Sequence, residues 1–254
     1  MQASMKIAVA GGTGRVGRHV VDVLEGRGHE VVSIARSTGV DVITGEGLDN
    51  ALAGATRIVD VATGPSPEQE AATEFFTTAT RNLQDAGARA GVEEIIVVSI
   101  IGTDRFPEGY GVAQMAHERA MLAGPIPARI LRASQFHELV GVLLEWGNRG
   151  DVTYVPKMRT QLVAARTVGE ALADLATTNG GTPGEITEIA GPRVENLVDM
   201  AKLLVAHRGE SIRVVEEDAD SSDPTAALYA NGGLLPSAGA TLAGPTFEEW
   251  LATA

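Results

Sequence analysis

Cysteine is absent from the 254-residue sequence, which excludes disulfide bonds and any chemistry that needs a thiolate. Lysine is nearly as scarce, because Lys6, Lys157 and Lys202 are its only occurrences. No run of about 18 apolar residues occurs, so we expect no membrane-spanning helix. The N-terminus has no charged start followed by a long apolar stretch, so we expect no secretory signal and a cytoplasmic protein.

The net charge of −13 argues against a nucleic-acid partner, because duplex binding depends on Lys and Arg side chains that neutralise phosphates. The histidines show no spacing typical of a zinc site, and the sequence has neither a nucleophile-elbow motif nor a Walker loop. We therefore expect no metal and no membrane partner. The expected partner is a small-molecule substrate, bound by a monomer or a homodimer.

The segment MKIAVAGGTGRVG, residues 5–17, contains the most specific pattern in the chain. An apolar run ends in three glycines at a spacing of three, Gly11, Gly14 and Gly17, and a helical apolar pattern follows. In a strand–turn–helix unit such glycines permit the tight turn, the approach of a pyrophosphate to the backbone, and close helix–strand packing. The phosphates bind at the helix N-terminus, where free N–H groups and the helix dipole favour anions. We predict that this turn is a dinucleotide site rather than a turn without a ligand. Besides the three glycines, the predicted cofactor contacts in it are Thr13, Arg15 and Val16.

Strands and helices alternate along the first half of the chain, which predicts an α/β fold with a doubly wound, mostly parallel Rossmann sheet. The predicted strands are residues 6–10, 30–35, 41–43, 57–62, 94–99 and 128–132. Ligands of such sheets bind outside the carboxyl ends of the strands, so residues that directly follow a strand are candidates for the site. On this basis we predict further cofactor contacts from Ala62, Thr63, Ser99, Ala133 and Gln135.

The alternation of strands and helices loosens after about residue 135. Helices are predicted at residues 135–146, 167–177, 195–207 and 247–251, with short strands between them. We therefore divide the chain into an NAD(P)-binding Rossmann domain, residues 5–134, and a mixed region, residues 135–254. The mixed region is expected to complete the sheet and to form a small C-terminal cap over the substrate.

The end of the second predicted strand is the position that usually distinguishes NAD from NADP. A carboxylate there accepts from the ribose 2′-OH, whereas an arginine accommodates a 2′-phosphate. This chain has Arg36 followed by Ser37, and the next acidic residue, Asp41, comes five positions after Arg36. Arg15 in the glycine turn is a second cation, and a planar guanidinium suits a phosphate dianion. We predict NADP(H) as the cofactor; a solvated surface arginine is the alternative for Arg36.

Four motifs carry a resemblance to a known family: GGTGRVG, IIVVS, the helix that starts at Tyr110, and ARILRASQF. Taken together they resemble the NmrA-like group of atypical short-chain dehydrogenases/reductases. The resemblance covers roughly residues 5–180. It implies an NAD(P)-binding Rossmann domain with a site over the nicotinamide, formed by the loops after the strands at 94–99 and 128–132.

The chain departs from this family where the chemistry is expected. The wider superfamily uses a Tyr-x-x-x-Lys motif together with a Ser or Thr after the strand. Tyr110 matches the tyrosine, but Gln114 stands in place of the lysine. Ser99 lies at the strand end, and Ile100 and Ile101 occupy the usual positions of the Ser or Thr. The catalytic set that the resemblance implies is Tyr110, Ser99 and Gln114, and a packing role at the start of the helix is the alternative for Tyr110.

The replacement of lysine by Gln114 changes the expected proton chemistry. An amide can keep hydrogen bonds to the nicotinamide ribose, because it both donates and accepts, but it supplies no charge. Without a neighbouring cation, the pKa of Tyr110 is expected to stay near its ordinary value of about 10. Such a phenol can donate a hydrogen bond to an oxyanion but is a poor acid near pH 7. Two routes remain open: a substrate that stabilises its own oxyanion, or a proton from water or a substrate hydroxyl.

Residues after the strands at 94–99 and 128–132 are also candidates for substrate contacts. His137 has an ordinary pKa near neutrality, which suits a proton donor or an oxygen ligand, and a structural role is the alternative. Trp146 is either an aromatic wall of the pocket or a core residue, and His117 is expected at the surface. The predicted substrate contacts are Ile100, Ile101, Phe136, His137 and Trp146.

These observations predict an NADPH-dependent oxidoreductase that reduces a small or polycyclic ketone or a quinone, with an aromatic polyketide as one candidate substrate. The alternative from another class is a non-catalytic NADP-sensing regulatory protein, because NmrA-type members also lack the catalytic lysine. An epimerase or isomerase that uses the cofactor transiently is a third possibility, which the weak base position disfavours.

Overall fold

The computed structural model describes residues 4–217 and 223–253. Its strands, in chain order, are β1 Lys6–Ala10, β2 Glu30–Ile34, β3 Arg57–Asp60, β4 Glu94–Ile100, β5 Ala128–Ala133, β6 Val152–Pro156, β7 Arg159–Thr160, β8 Ile186–Ala190, β9 Glu195–Asn196, β10 Arg213–Glu217 and β11 Thr241–Leu242. Its α-helices are α1 Gly17–Gly26, α2 Leu48–Leu52, α3 Gln69–Ala90, α4 Tyr110–Leu122, α5 Leu139–Trp146, α6 Ala165–Thr177, α7 Leu197–His207, α8 Pro224–Ala230 and α9 Phe247–Leu251.

Seven strands form the central sheet in the order β11-β8-β5-β4-β3-β1-β2. β1 pairs in parallel with β2 on one side and with β3 on the other, and β3 pairs in parallel with β4. The direction in which strands are added reverses at β1, and ligands of such sheets bind at this switch point, outside the carboxyl ends of the strands. The predicted α/β fold with a mostly parallel Rossmann sheet is confirmed.

β1 is apolar because it is buried on both faces of the sheet. Ile7, Ala8, Val9 and Ala10 are each 0% exposed, as a strand at the centre of a parallel sheet requires. In α1, Val20 and Leu24 are fully buried while the opposite face is in solvent, so a single apolar stripe fixes the helix. The strand, turn and helix of the glycine motif are thus held by ordinary burial, and the turn between them is placed at the switch point.

The predicted strand at residues 41–43 is wrong, because this segment forms a turn. The Asp41 carboxylate accepts hydrogen bonds from the backbone N–H groups of Ile43 and Thr44, over 2.7 and 3.3 Å. A short acidic side chain that bonds to its own following backbone competes with a strand ladder, which explains the difference. The predicted helix at 135–146 is also shorter than expected, since α5 begins at Leu139.

The chain divides into two compact units that interleave in sequence. Unit 1 contains residues 4–99, 108–132 and 168–187, and unit 2 contains the described residues of 100–107, 133–167 and 188–253. The boundary at residue 134 between an NAD(P)-binding domain and a mixed region stays a prediction.

Each unit has its own apolar core. The core of unit 1 packs α2, α3 and the end of α4 on the strands, and its fully buried members include Ala8, Ile34, Leu52, Ile58, Leu83, Ile95 and Ile130. The core of unit 2 packs α5, α7 and α9 together, with buried members that include Val140, Val155, Leu197, Ala201, Phe247 and Leu251. Within residues 4–217 and 223–253, no helix combines the length and apolarity needed to cross a bilayer.

Two glycines of α1 provide a matched test of the turn. A Cβ on Gly17 would lie 2.1 Å from the carbonyl oxygen of Gly11, whereas a Cβ on Gly26 has no neighbour within 4 Å. We expect Gly17→Ala to lower the free energy of unfolding by about 1–3 kcal/mol, because the turn must open. Gly26→Ala is expected to raise it by up to about 1 kcal/mol, through the lower backbone entropy of the unfolded chain.

Urea unfolding curves of both variants measure this difference. If both substitutions change the free energy of unfolding by the same amount, the close packing at Gly17 does not constrain the turn.

Candidate active site

The glycine turn brings together backbone from the ends of three strands. Gly11 follows β1 with a φ of +78°, and its N–H donates to the carbonyl oxygen of Ile34 at the end of β2, over 2.9 Å. A Cβ on Gly11 would lie 2.9 Å from backbone atoms of Ala62, after β3. Both the left-handed conformation and this contact require glycine. The turn is therefore clamped between β2 and the loop after β3.

The middle of the turn leaves a cradle at the start of α1. A Cβ on Gly14 would meet only the Gly11 carbonyl oxygen, at 3.1 Å, so space remains on its other sides. The backbone N–H groups of Thr13, Arg15 and Val16 donate to no backbone oxygen in the described part of the chain. The first turn of α1 contains no acidic residue. Free N–H groups and a positive dipole end favour an anionic group at this position.

The end of β2 has a cation and no carboxylate. Arg36 begins a 3₁₀ turn, Arg36–Thr38, and is exposed. Among the residues that the structure describes, no carboxylate pairs with Arg36 or with Arg15. The Ser37 hydroxyl donates to the Thr13 hydroxyl over 3.4 Å, so this 3₁₀ turn lies against the glycine turn. Both guanidinium groups are therefore free to meet a phosphate.

Tyr110 and Gln114 form a hydrogen-bonded pair on the first turn of α4. The Gln114 Nε2 donates to the Tyr110 hydroxyl oxygen over 3.1 Å, as the i, i+4 spacing on one helix face allows. The Gln114 side chain is buried, and its Oε1 has no hydrogen-bond partner among the described residues. The Ser99 hydroxyl at the end of β4 is buried and unpartnered in the same sense. Unit 1 thus holds an acceptor and a hydroxyl that each lack the partner that buried polar groups normally have.

Burial raises the pKa of Tyr110 above its ordinary value, and the hydrogen bond from Gln114 opposes this shift only in part. The pKa of Tyr110 was expected to stay near 10, and it is instead raised. The cause is that a buried phenolate loses the solvation that stabilises its charge. Tyr110 is protonated at neutral pH, and because Gln114 occupies its oxygen as a donor, the hydroxyl proton remains available to an acceptor.

His117 and Asp60 form a buried pair in unit 1 that the sequence analysis missed. His117 was expected at the surface, but it is 2% exposed and its Nε2 lies 3.2 Å from the Asp60 Oδ2. His117 comes seven residues after Tyr110, so both lie on nearly the same face of α4. The seven-residue spacing from Tyr110 to His117, together with Asp60 in an otherwise apolar strand, is the sequence pattern that could have predicted this buried pair.

Among the other predicted site residues, Thr63 belongs to unit 1, and its cofactor contact stays a prediction. The remaining ones belong to unit 2 and are Ile100, Ile101, Ala133, Gln135, Phe136, His137 and Trp146. Ile101 and Ala133 are buried, and the Gln135 Oε1 accepts from the Thr160 hydroxyl over 2.7 Å. Phe136 is half-buried and bridges in parallel to Val163. Their contacts with cofactor or substrate stay predictions, as does the contact predicted for Ile100.

His137 is fully buried in unit 2 among aromatic side chains. It is 0% exposed, its Nε2 donates to the Pro245 carbonyl oxygen over 3.2 Å, and its ring lies 5.4 Å from those of Phe247 and Trp250. Burial lowers the pKa of His137, although the bond to Pro245 raises it in part. The imidazole is therefore neutral at pH 7. A substrate contact of His137 stays a prediction.

Trp146 is 69% exposed at the end of α5, so the core alternative for this residue is wrong. α5 buries Val140, Gly141 and Leu144, and Trp146 falls outside that stripe. Its role as a pocket wall stays a prediction.

A family model described as NAD(P)H-binding matches residues 11–137, half of the chain. The chain belongs to this NAD(P)H-binding family. The matched residues contain the glycine turn, Arg36, Ser99 and the Tyr110–Gln114 pair, so the predicted membership of an NAD(P)-binding family is confirmed. No protein with a curated description matches this NAD(P)H-binding chain.

Solved structures share the fold of this NAD(P)H-binding protein. The NADPH-dependent quinone oxidoreductase QOR2 from Escherichia coli, complexed with NADPH, is 18% identical, with a TM-score of 0.70 over 97% of this chain and 99% of that chain. MoeE5 in complex with UDP-glucose and NAD is 19% identical, with a TM-score of 0.73 over 98% and 96% of the two chains. A short-chain dehydrogenase/reductase superfamily protein from Agrobacterium tumefaciens with bound NAD is 17% identical, with a TM-score of 0.68 over 98% and 95%.

The residues of unit 1 fit a nicotinamide dinucleotide. The cradle at Gly14 and the free N–H groups of the turn suit a diphosphate. The unpartnered Gln114 Oε1 suits a ribose hydroxyl, which needs an acceptor. Thr13, Arg15, Val16 and Gln114 would therefore hold the dinucleotide.

The pKa of Tyr110 can be measured by the absorbance of tyrosinate during an alkaline titration. We expect a tyrosine that ionises above pH 10 in the wild type and is absent in Tyr110→Phe. Gln114→Lys is expected to move this ionisation to lower pH, because a cation beside the phenol stabilises the phenolate. Identical titration curves for wild type and Gln114→Lys would contradict the pairing of these two side chains.

Proposed function

We propose that this NAD(P)H-binding protein is an NADPH-dependent oxidoreductase that reduces a small or polycyclic ketone or a quinone. The observation that carries the proposal is the combination within unit 1 of an anion cradle, a carboxylate-free β2 end with a free arginine, and a buried, protonated phenol paired to an amide.

The preference for NADP(H) over NAD(H) rests on charge. Arg36 and Arg15 have no carboxylate partner among the described residues, and Asp41, the next acidic residue in the chain after Arg36, accepts hydrogen bonds within its own turn. A ribose 2′-OH would find no carboxylate acceptor there, whereas a 2′-phosphate would find a bidentate donor. QOR2 binds NADPH and MoeE5 binds NAD, so the neighbours support either nucleotide.

The cofactor, when bound, supplies a hydride to an electrophilic carbon. Tyr110 keeps its proton at neutral pH and donates a hydrogen bond to the oxygen that gains charge. Gln114 orients the phenol from one side and has a free acceptor for a ribose hydroxyl. Because burial raises the pKa of Tyr110, the phenol is a weak acid. A substrate that stabilises its own oxyanion, such as a quinone or a ketone flanked by phenols, suits this site.

The same observation favours a second candidate, an NADP-sensing regulatory protein. With glutamine at position 114 and a raised phenol pKa, the residues that bind a dinucleotide are present while proton transfer is weak. Binding without turnover is the behaviour that distinguishes this candidate from a reductase.

Arg36→Ala tests the choice of nucleotide. We expect the affinity for NADPH to fall by about tenfold or more, since a charge-assisted hydrogen bond contributes about 1.5–3 kcal/mol, and the affinity for NADH to stay within about twofold. Isothermal titration calorimetry of both nucleotides measures the ratio. Arg119→Ala is the matched control, because Arg119 is an exposed arginine in the last turn of α4. Equal losses for both nucleotides would reject the role of Arg36.

The reductase proposal is tested by NADPH consumption with a panel of quinones and polycyclic ketones. We expect turnover on at least one of them, and a loss of about 10²-fold in Tyr110→Phe with NADPH affinity retained, because one oxyanion donor is removed. Wild-type protein that binds NADPH but turns over none of the panel would favour the sensor. Unchanged turnover in Tyr110→Phe would exclude the phenol as the donor.

A further inference from the structure

Asp60 and His117 form a buried pair in unit 1 that the proposed reaction does not use directly. Asp60 is 1% exposed and His117 is 2% exposed. The His117 Nε2 lies 3.2 Å from the Asp60 Oδ2. Because a carboxylate only accepts hydrogen bonds, Nε2 is the protonated nitrogen and donates to Asp60.

Asp60 connects this pair to the glycine turn. Its second oxygen, Oδ1, accepts from the backbone N–H of Ala62 over 3.0 Å. The backbone of Ala62 is the group that a Cβ on Gly11 would meet at 2.9 Å. Asp60 therefore fixes the short segment that forms one wall of the glycine turn.

His117 connects the pair to the helix that carries Tyr110. Its ring stacks on Phe76 of α3, with ring centres 4.6 Å apart and planes inclined by 11°. Phe76 in turn packs against the Tyr110 ring, with centres 5.9 Å apart. His117 also lies three residues after Gln114, on the same side of α4. One hydrogen bond thus links the wall of the glycine turn to the helix that bears the phenol–amide pair.

We propose that Asp60 and His117 are positioning residues that hold Tyr110 and Gln114 in register with the glycine turn. A packed apolar contact resists separation but permits sliding, whereas a buried hydrogen bond has one geometry. Such a pair contributes little net stability over apolar residues of the same size, so its expected effect is on geometry. The affinity for the nicotinamide half of the cofactor therefore depends on the pair, and the affinity for the adenosine half does not.

This inference rests on the proposed function only in requiring that the chain binds NADPH. The test compares Asp60→Asn with Asp60→Asn/His117→Leu in the full chain. In the single variant the amide oxygen accepts from Ala62 and the amide NH2 donates to the His117 Nε2, which requires the neutral imidazole to carry its proton on Nδ1. The double variant breaks the link to α4 without leaving an unpaired charge. The ligands are NADPH and adenosine 2′,5′-bisphosphate, which carries the adenosine half alone.

We expect the double variant to bind NADPH about tenfold more weakly than the single variant, which is the range of one lost hydrogen bond. The affinity for adenosine 2′,5′-bisphosphate is expected to agree within about twofold between the two variants. A merely structural role would lower both affinities together, and that result, or no change in either, would overturn the inference. If wild-type protein binds neither ligand, the proposed function fails instead, and the two failures are distinct.

His117→Asn provides a second test if the double variant does not fold. Its shorter amide can donate but cannot span the distance to Asp60, so the same selective loss of NADPH affinity is expected. An unchanged ratio of the two affinities in a folded His117→Asn protein would also overturn the inference.

Discussion

The structure depends on the close approach of backbone to backbone at the glycine turn. Gly11 bonds to the end of β2 and touches the segment after β3, and Gly17 lies against the Gly11 carbonyl. No side chain fits at either position, so strand ends and helix start meet at contact distance. This packing holds the N-terminus of α1 at the switch point of the sheet, where its free N–H groups form an anion cradle.

The chemistry of the site follows from what surrounds Tyr110. In a chain with so little lysine, the position four residues after Tyr110 is a neutral amide, and the phenol is also buried against Phe76. Burial favours the neutral phenol and raises the pKa of Tyr110, and the hydrogen bond from Gln114, which favours the phenolate, opposes this shift only in part. The arrangement therefore suits hydrogen bonding and orientation better than proton transfer, which is why the proposed substrates are those that stabilise their own oxyanion. Because the same arrangement makes proton transfer weak, an NADP-sensing protein that binds the cofactor without turnover is the competing proposal.

The parts of the fold that were predictable were those specified by neighbouring residues. Glycine spacing, the apolar run of β1 and the helical pattern of α1 identify a strand–turn–helix unit without knowledge of the remainder. The prediction of a strand at 41–43 was wrong because the hydrogen bonds of the Asp41 side chain to the following backbone outweigh the short apolar pattern. The surface position predicted for His117 was wrong for a different reason. A histidine within a helix is expected in solvent unless a buried partner is known, and its partner Asp60 lies 57 residues away in the chain.

The sequence by itself determined the α/β class, the family, the glycine turn and the presence of arginine rather than carboxylate after β2, because each of these depends on residues close together in the chain. Tertiary structure alone decided the burial of Tyr110, the pairing of Asp60 with His117 and the exposure of Trp146. These properties depend on which distant elements pack against a side chain, and solvation and hydrogen-bond geometry are set only when those elements meet.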